Sequence, residues 1–310
     1  MERVAAIIPT SGRDSLQLSV GSALAQSTRP EVVVVTSVAN RDGVVSVLGE
    51  LASEVSLVTV DHPTPTGGRL RQAGVEFADA DWFAFLDDDD TWVEHKLSTQ
   101  LAFARESDLD VVASALLLTG PDQAGRRVIP GDVYQPGQRV ADYLFVGRSL
   151  RVDRPLLHTS TLLISKEAIS AVPWDRSLQL HQDWDLVLRL DHAGFKFGQC
   201  AEALSIIETG SGKSMSATNK AEGSFEWWRR SRGVLGRRAA ADFLYSQVLR
   251  YAIQERSVPG IRRVASVMRT TGLPRPSSLA IAGAGIVPRS AFERAMLFHA
   301  GADSGGRHGV

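Results

Sequence analysis

Four consecutive aspartates, Asp87, Asp88, Asp89 and Asp90, follow directly on the apolar run Trp82-Phe83-Ala84-Phe85-Leu86. Carboxylates crowded at the end of a buried strand repel one another, unless a hard divalent cation or a polyhydroxyl ligand sits among them. A solvated turn capping the helix after Trp92 is the plainer explanation, but so many acids directly after a buried strand favour a ligand. One carboxylate on a metal and another on a ribose hydroxyl is a natural pairing for a nucleotide. Two further stretches carry chemistry. In Gly67-Gly68-Arg69-Leu70-Arg71-Gln72-Ala73-Gly74 the glycines let backbone approach an anion, and Arg71 lies one turn in, able to fork onto a phosphate. Taken alone, a surface arginine on a helix explains Arg71 as well. In His181-Gln182-Asp183-Trp184-Asp185, Asp183 sits where an N-cap would sit. Its other role would be a general base at the mouth of a site, with Trp184 as a stacking platform.

The elements that must position these groups follow from hydrophobic spacing. Strands are expected over 4–8, 32–35, 55–60 and 82–86, and helices over 14–26, 44–52 and 69–78, with Asp14 as an N-cap. This alternation with short connections implies parallel strands and right-handed crossovers in a doubly wound α/β sheet. Ligands of such sheets sit outside the carboxyl ends of the strands. Pro9-Thr10-Ser11, the loop after Val35, the Pro/Gly loop 62–68 and the aspartates would gather on that edge. Beyond Trp92 the pattern changes to a helix over 94–106, a strand over 110–118, a hairpin-like excursion over 119–139 and a strand over 161–164. A helix over 184–193 and two short strands, 195–197 and 203–207, come next. The small-residue loop 209–219 contains Gly212-Lys213-Ser214, but a phosphate-binding loop would need a glycine at Ile207.

The overall charge of −1 conceals two electrostatic objects. Residues 1–224 carry 20 Lys and Arg against 30 Asp and Glu, whereas residues 225–310 carry 14 Arg, no Lys and 5 acids. The single cysteine, Cys200, excludes an intrachain disulfide and a cysteine-based zinc site. No apolar run reaches the roughly 18–20 residues of a membrane span, and none at the start suits a signal peptide. A cytoplasmic protein is expected, one able to touch a membrane surface.

Taken together, in this order and at these separations, the stretches resemble the family 2 (GT-A fold) nucleotide-sugar glycosyltransferases. The resemblance is carried by Ile7-Ile8-Pro9-Thr10 with Arg13, by Ser22-Ala23-Leu24-Ala25-Gln26-Ser27, and by Gly68 with Arg71-Gln72-Ala73-Gly74. It continues through Ala80-Asp81 to the aspartates and Thr91-Trp92, then Thr159-Ser160-Thr161-Leu162-Leu163-Ile164 and Gln182-Asp183-Trp184-Asp185-Leu186, spanning about residues 3–208. It implies a GT-A type, Rossmann-like, mostly parallel sheet over 1–222, with a nucleotide-binding half over about 1–92 and an acceptor half over about 93–222. Residues 223–310 would form a basic helical extension.

The resemblance also implies a nucleoside-diphosphate-sugar donor, a divalent metal (Mn²⁺ or Mg²⁺) and a hydroxyl acceptor of unknown kind. Pro9, Thr10 and Arg13 would then lie at the nucleobase, with Ser11 beside them among the donor-binding residues, Arg71 near the base or diphosphate, and Asp87 and Asp88 at the ribose. Asp89 would be the metal ligand and Asp183 the catalytic base, with Gln182 and Trp184 on the acceptor side. Three positions depart from the family pattern: Thr36-Ser37 replace an acidic residue after the second strand, Gln72 an asparagine, and Gln182 a glutamate. The implied chemistry is inverting single displacement, and the sequence leaves a retaining outcome on this fold open. Two alternatives remain, an aspartyl-phosphate phosphatase with Asp87 as nucleophile and an inactive sugar-nucleotide binder. In the tail, Phe225, Trp227-Trp228 and the arginines beside them suit either an interfacial helix on anionic lipid, or packing on the acidic body or a dimer partner. Nucleic acid is not expected, since no recognition module surrounds the arginines.

Overall fold

Strands β1 (Val4–Pro9), β2 (Glu31–Ser37), β3 (Ser56–Val60) and β4 (Trp82–Phe85) lie parallel in the order β3-β2-β1-β4. The computed structural model describes residues 2–120, 126–146, 155–208 and 220–286. The expected loop 209–219, part of the expected excursion over 119–139 and the chain beyond 286 lie outside them. Helices α1 (Leu16–Leu24), α2 (Arg41–Leu48) and α3 (Gly67–Phe77) make the crossovers.

The inner strands β1 and β4 and the Val32–Val35 run of β2 are buried along their whole length, so they read as unbroken apolar runs, whereas the edge strand β3 is half-exposed and carries Ser56 and Thr59. Val4, Ala6 and Ile8 of β1, with Val32 and Val34 of β2, pack against Leu16 and Val20 of α1 and Val44 and Leu48 of α2. Ile7 and Val35 face α3 on the other side. The expected cap Asp14 is displaced by one position: Ser15 precedes the first turn of α1 and makes no side-chain cap bond.

The sheet continues antiparallel. After β5 (Asp90–Trp92) come α4 (Lys96–Ser107), β6 (Val111–Thr119), β7 (Arg126–Ile129), α5 (Val140–Phe145), β8 (Leu163–Ser165), α6 (Lys166–Ala171), α7 (Gln182–His192) and β9 (Phe197–Glu208). The full order is β3-β2-β1-β4-β8-β6-β9-β5, with β7 pairing to β6. Two short strands were expected where β9 runs unbroken. Gln199, the polar residue near its start and between the two expected strands, is buried, accepting from Tyr134 N at 2.8 Å and donating to Leu156 O at 3.0 Å.

One amine lies in this core. Lys96 is fully buried, donates to Gln100 Oε1 at 2.5 Å and stands 4.3 Å over the Trp92 ring. Burial pushes its pKa down to about 7.

The chain divides into two compact units, the first made of residues 1–116, 133–140 and 156–207, the second of 117–132, 141–155 and 208–310. In the second unit α8 (Lys220–Phe243) is broken at Gly236, whose φ of 74° and ψ of 167° suit only glycine. The chain folds back there, and Trp228 Nε1 donates to Ala240 O at 2.9 Å. Trp227 packs on Phe243 at 4.8 Å and both rings meet Phe145. Trp227 and Trp228 are therefore core residues, which corrects the expectation that they could face lipid. A π-helical turn, Leu244–Leu249, leads to α9 (Arg250–Gln254), α10 (Val258–Thr271) and α11 (Pro276–Gly283). Among the described residues no helix is long and apolar enough to cross a membrane.

Candidate active site

The aspartates form a tight turn between β4 and β5, closed by Asp90 N donating to Asp87 O at 3.1 Å. Ser160, fully buried in a short 3₁₀ turn after His158, braces it from behind. Its hydroxyl accepts from Asp87 N at 3.1 Å and donates to Asp90 Oδ2 at 2.5 Å, while its carbonyl accepts from Trp92 Nε1 and Ser205 Oγ at 2.8 Å each. The turn is thus shaped by buried polar bonds rather than left to solvent. His158 joins it: the ring's Nδ1 accepts from Ser160 N at 3.2 Å and lies 3.8 Å from Asp90 Oδ2.

The carboxyl end of β1 supplies the next layer. Thr10 is buried and donates to Asp88 Oδ2 at 2.6 Å, while its carbonyl accepts from Thr36 Oγ1 at 2.9 Å. The Thr36 that stands where the family pattern has an acid is therefore bonded to Thr10 across β1 and β2. Arg13 is ion-paired with Asp89 and reaches Asp88 Oδ1 at 3.5 Å. Pro9 is buried opposite Val35, and Ser11 is exposed at the edge.

The start of α3 supplies the third group. Thr66 caps the helix by accepting from Arg69 N at 3.1 Å and donates to Arg176 O at 2.9 Å. Arg71 points back along it, with Nη2 on Asp87 Oδ1 at 2.5 Å, Nη1 on Gln182 Oε1 at 2.8 Å and its guanidinium 5.1 Å over the Trp174 ring. The glycines before it have a packing role. A Cβ at Gly67 would lie 2.7 Å from Gln182 Oε1 and 2.8 Å from Arg71 Nη1, and one at Gly68 would lie 2.5 Å from the Asp175 carbonyl oxygen.

Gln182 opens α7, and Asp183 follows within its first turn. The N-cap is His181, held at φ 60° and ψ 30°, so Asp183 does not cap the helix. Its Oδ1 accepts from Trp184 N at 2.9 Å, and the Trp184 ring stacks on His181 at 4.6 Å. Buried Leu186, Val187, Leu188 and Leu190 anchor the helix, and Asp185 pairs with Arg189 at 2.7 Å.

These carboxyls differ in how they hold protons. Burial is the largest influence on Asp87 and acts to raise its pKa, but Arg71, His158 and Arg13 outweigh it and hold it below the ordinary range. Burial pushes Asp88 up, against the Thr10 hydroxyl and Arg13, and pushes Asp90 to about 7, against His158 and Ser160. Asp183 is likewise raised by burial, with Asp87 adding to the effect and His158, its own helix amide and Arg71 opposing it. A raised carboxyl beside a lowered one separates proton acceptor from permanent anion.

Asp87, Asp90 and His158 bring one ligand atom each within 4.8 Å of one another, a group able to hold a metal ion. Asp89, expected as the metal ligand, is ion-paired with Arg13. Sequence reasoning passed over Asp90 and His158 as ligands. Asp90 was merged into the acidic run, and His158 stands in a segment without periodicity, marked only by the Thr159-Ser160-Thr161 that follows it.

Residues 5–144 match the family described as glycosyl transferase family 2. The amylovoran biosynthesis glycosyltransferase AmsB of Erwinia amylovora is 28% identical over 143 residues, covering 45% of this chain and 46% of that protein. The chain thus matches about half the length of this curated relative. Among solved structures, S. aureus TarS 1–349 in complex with UDP-GlcNAc superposes with a TM-score of 0.61 at 17% identity, over 84% of this chain and 79% of that one. Mannosyltransferase PcManGT from Pyrobaculum calidifontis, in complex with GDP-Man and Mn²⁺, gives 0.56 at 13% identity, over 96% and 88%. Both share the GT-A fold with this chain.

Proposed function

This chain carries a family 2 glycosyltransferase domain, and we propose that it transfers a sugar from a nucleoside-diphosphate-sugar to an acceptor hydroxyl by inverting displacement. The observation that carries this reading is the Arg71 fork, which joins Asp87 to Gln182 and so sets the start of α7 beside the aspartate turn. Asp183, its proton affinity raised by burial, is suited to take the acceptor hydroxyl's proton as that oxygen attacks the anomeric carbon. The bond from that carbon to the diphosphate breaks, and the diphosphate leaves as an anion that needs charge stabilisation rather than a proton.

On the donor side, Pro9, Thr10, Ser11 and Arg13 line the nucleobase end, Asp87 and Asp88 face the ribose, and Arg71 lies toward the diphosphate. Gln182 and Trp184 border the acceptor. The two carboxylates suit Mg²⁺ or Mn²⁺, and the imidazole shifts the set away from Mg²⁺ toward a first-row transition metal. Asp87, Asp90 and His158 on geometry, and Asp89 on the sequence pattern, are the groups that would hold a divalent cation. When bound, such a cation supplies counter-charge to the leaving diphosphate.

A thermal-shift panel of nucleoside-diphosphate-sugars, each with and without Mn²⁺, tests the donor claim, because a ligand that binds the folded state raises its melting temperature by mass action. At least one nucleotide sugar should raise it more with Mn²⁺ than without. A panel in which no nucleotide or nucleotide sugar moves the transition contradicts the reading.

A further inference from the structure

Within the second unit, α10 buries one stripe and exposes another. Val264 is buried, whereas Val258, Ile261 and Met268 are 56%, 40% and 42% exposed. At about 100° per residue, Val258, Ile261, Ala265 and Met268 fall within an arc of about 80°, a single outward stripe running the length of the helix. Arg262 and Arg269 border it and are exposed. Just beyond the helix, Leu273 is 94% exposed and Leu279 of α11 is 49% exposed.

The charge around the stripe has one sign. Arg256, Arg262, Arg269 and Arg275 are exposed, and among the described residues none of them is in an ion pair. The neighbouring acids are committed elsewhere. Glu255 accepts from the backbone amide of Lys220 at 2.7 Å, Asp242 is buried and accepts from Arg275 N at 2.9 Å and Ser278 Oγ at 2.7 Å, and Glu222 pairs with Arg263 at 2.7 Å. The exposed face therefore offers apolar side chains edged by unopposed guanidinium groups.

We propose that α10 seats this unit on an anionic phospholipid surface, its apolar stripe in the interfacial zone and Arg262 and Arg269 at the phosphates. A protein groove would take the apolar stripe equally well. It gives no reason for a border of unpaired arginines, which a layer of phosphate groups matches in both charge and geometry. Long arginine stems also let the charge reach the headgroups while the helix lies lower. One short helix with three large apolar residues gives reversible, salt-sensitive attachment, not insertion.

Co-sedimentation of the full chain with phosphatidylglycerol/phosphatidylcholine vesicles and with pure phosphatidylcholine vesicles tests this. Binding should favour the anionic vesicles and fall as salt rises. The pair R262E/R269E should lower partitioning at least about tenfold, since each basic residue near the surface adds on the order of a fewfold to tenfold. The pair I261S/M268S should lower it as well, and L18S, at an exposed leucine of α1 in the first unit, should leave it unchanged. All these side chains are exposed, so circular-dichroism melting should match wild type, and either pair alone suffices to decide. Equal binding to both vesicles, no binding to either, or undiminished binding by a folded pair overturns the proposal. So does a wild-type dimer in analytical ultracentrifugation that I261S/M268S turns into monomer, which would assign the stripe to a second copy of the chain.

Discussion

The Arg71 guanidinium meets Asp87 at 2.5 Å, and its other terminal nitrogen meets Gln182 at 2.8 Å. One side chain of α3 thereby ties the turn after β4 to the start of α7. Lysine offers a point charge without the planar fork, so it cannot hold both partners. R71K should therefore lower kcat/KM for donor at least about tenfold, in line with a lost charge-assisted hydrogen bond. Steady-state kinetics against the donor checks this. G67A should act the same way more weakly, because its Cβ would press on both Gln182 Oε1 and Arg71 Nη1.

Two ligand sets compete for the divalent cation, and Mn²⁺ titration by electron paramagnetic resonance separates them. If Asp89 is the principal ligand, D89A abolishes Mn²⁺-dependent donor binding while H158A keeps it. If the geometric cluster holds the ion, H158A weakens Mn²⁺ binding and D89A weakens it less. Equal nucleotide-sugar affinity of wild type and D89A, with and without Mn²⁺, would remove Asp89 from the metal site.

The parallel half of the sheet was legible because both-face burial writes unbroken apolar runs such as Val32 to Val35 into the chain. The aspartate turn was legible for the same reason, four acids being conspicuous after Trp82 to Leu86. What escaped was set by contacts far apart in sequence. Ser160 braces a turn 70 residues before it, which no local pattern records. Asp183 has the right residue type for a cap, but His181 in a left-handed conformation takes that place. The Trp227-Trp228 pair beside arginines read equally well as surface or core, and the break at Gly236 turned it inward.

Lys96 makes stability depend on pH. Its amine is lowered from 10.5 to about 7 in the folded chain. Below pH 7 both states are protonated and the fold bears the burial of an ammonium. Between about 7 and about 10.5 the folded state has released the proton that the unfolded state keeps, so stability rises with pH. The slope contributed is at most about 1.4 kcal/mol per pH unit. Urea midpoints measured from pH 6 to pH 10 should rise more steeply for wild type than for K96M, which retains the stem over Trp92 without the charge. Parallel curves would contradict the depressed amine.

The general-base assignment is the centre of the account, and D183N tests it most directly. Asparagine keeps an oxygen for the Trp184 amide, and the N-cap belongs to His181, so the helix should be undisturbed. The measurement is release of nucleoside diphosphate from the donor that most stabilises the chain, alongside that donor's affinity and the melting temperature. The account predicts that release falls at least about a hundredfold, as loss of a positioned base requires, while affinity and melting temperature stay near wild type. A D183N chain that turns its donor over at near-normal rate would contradict it.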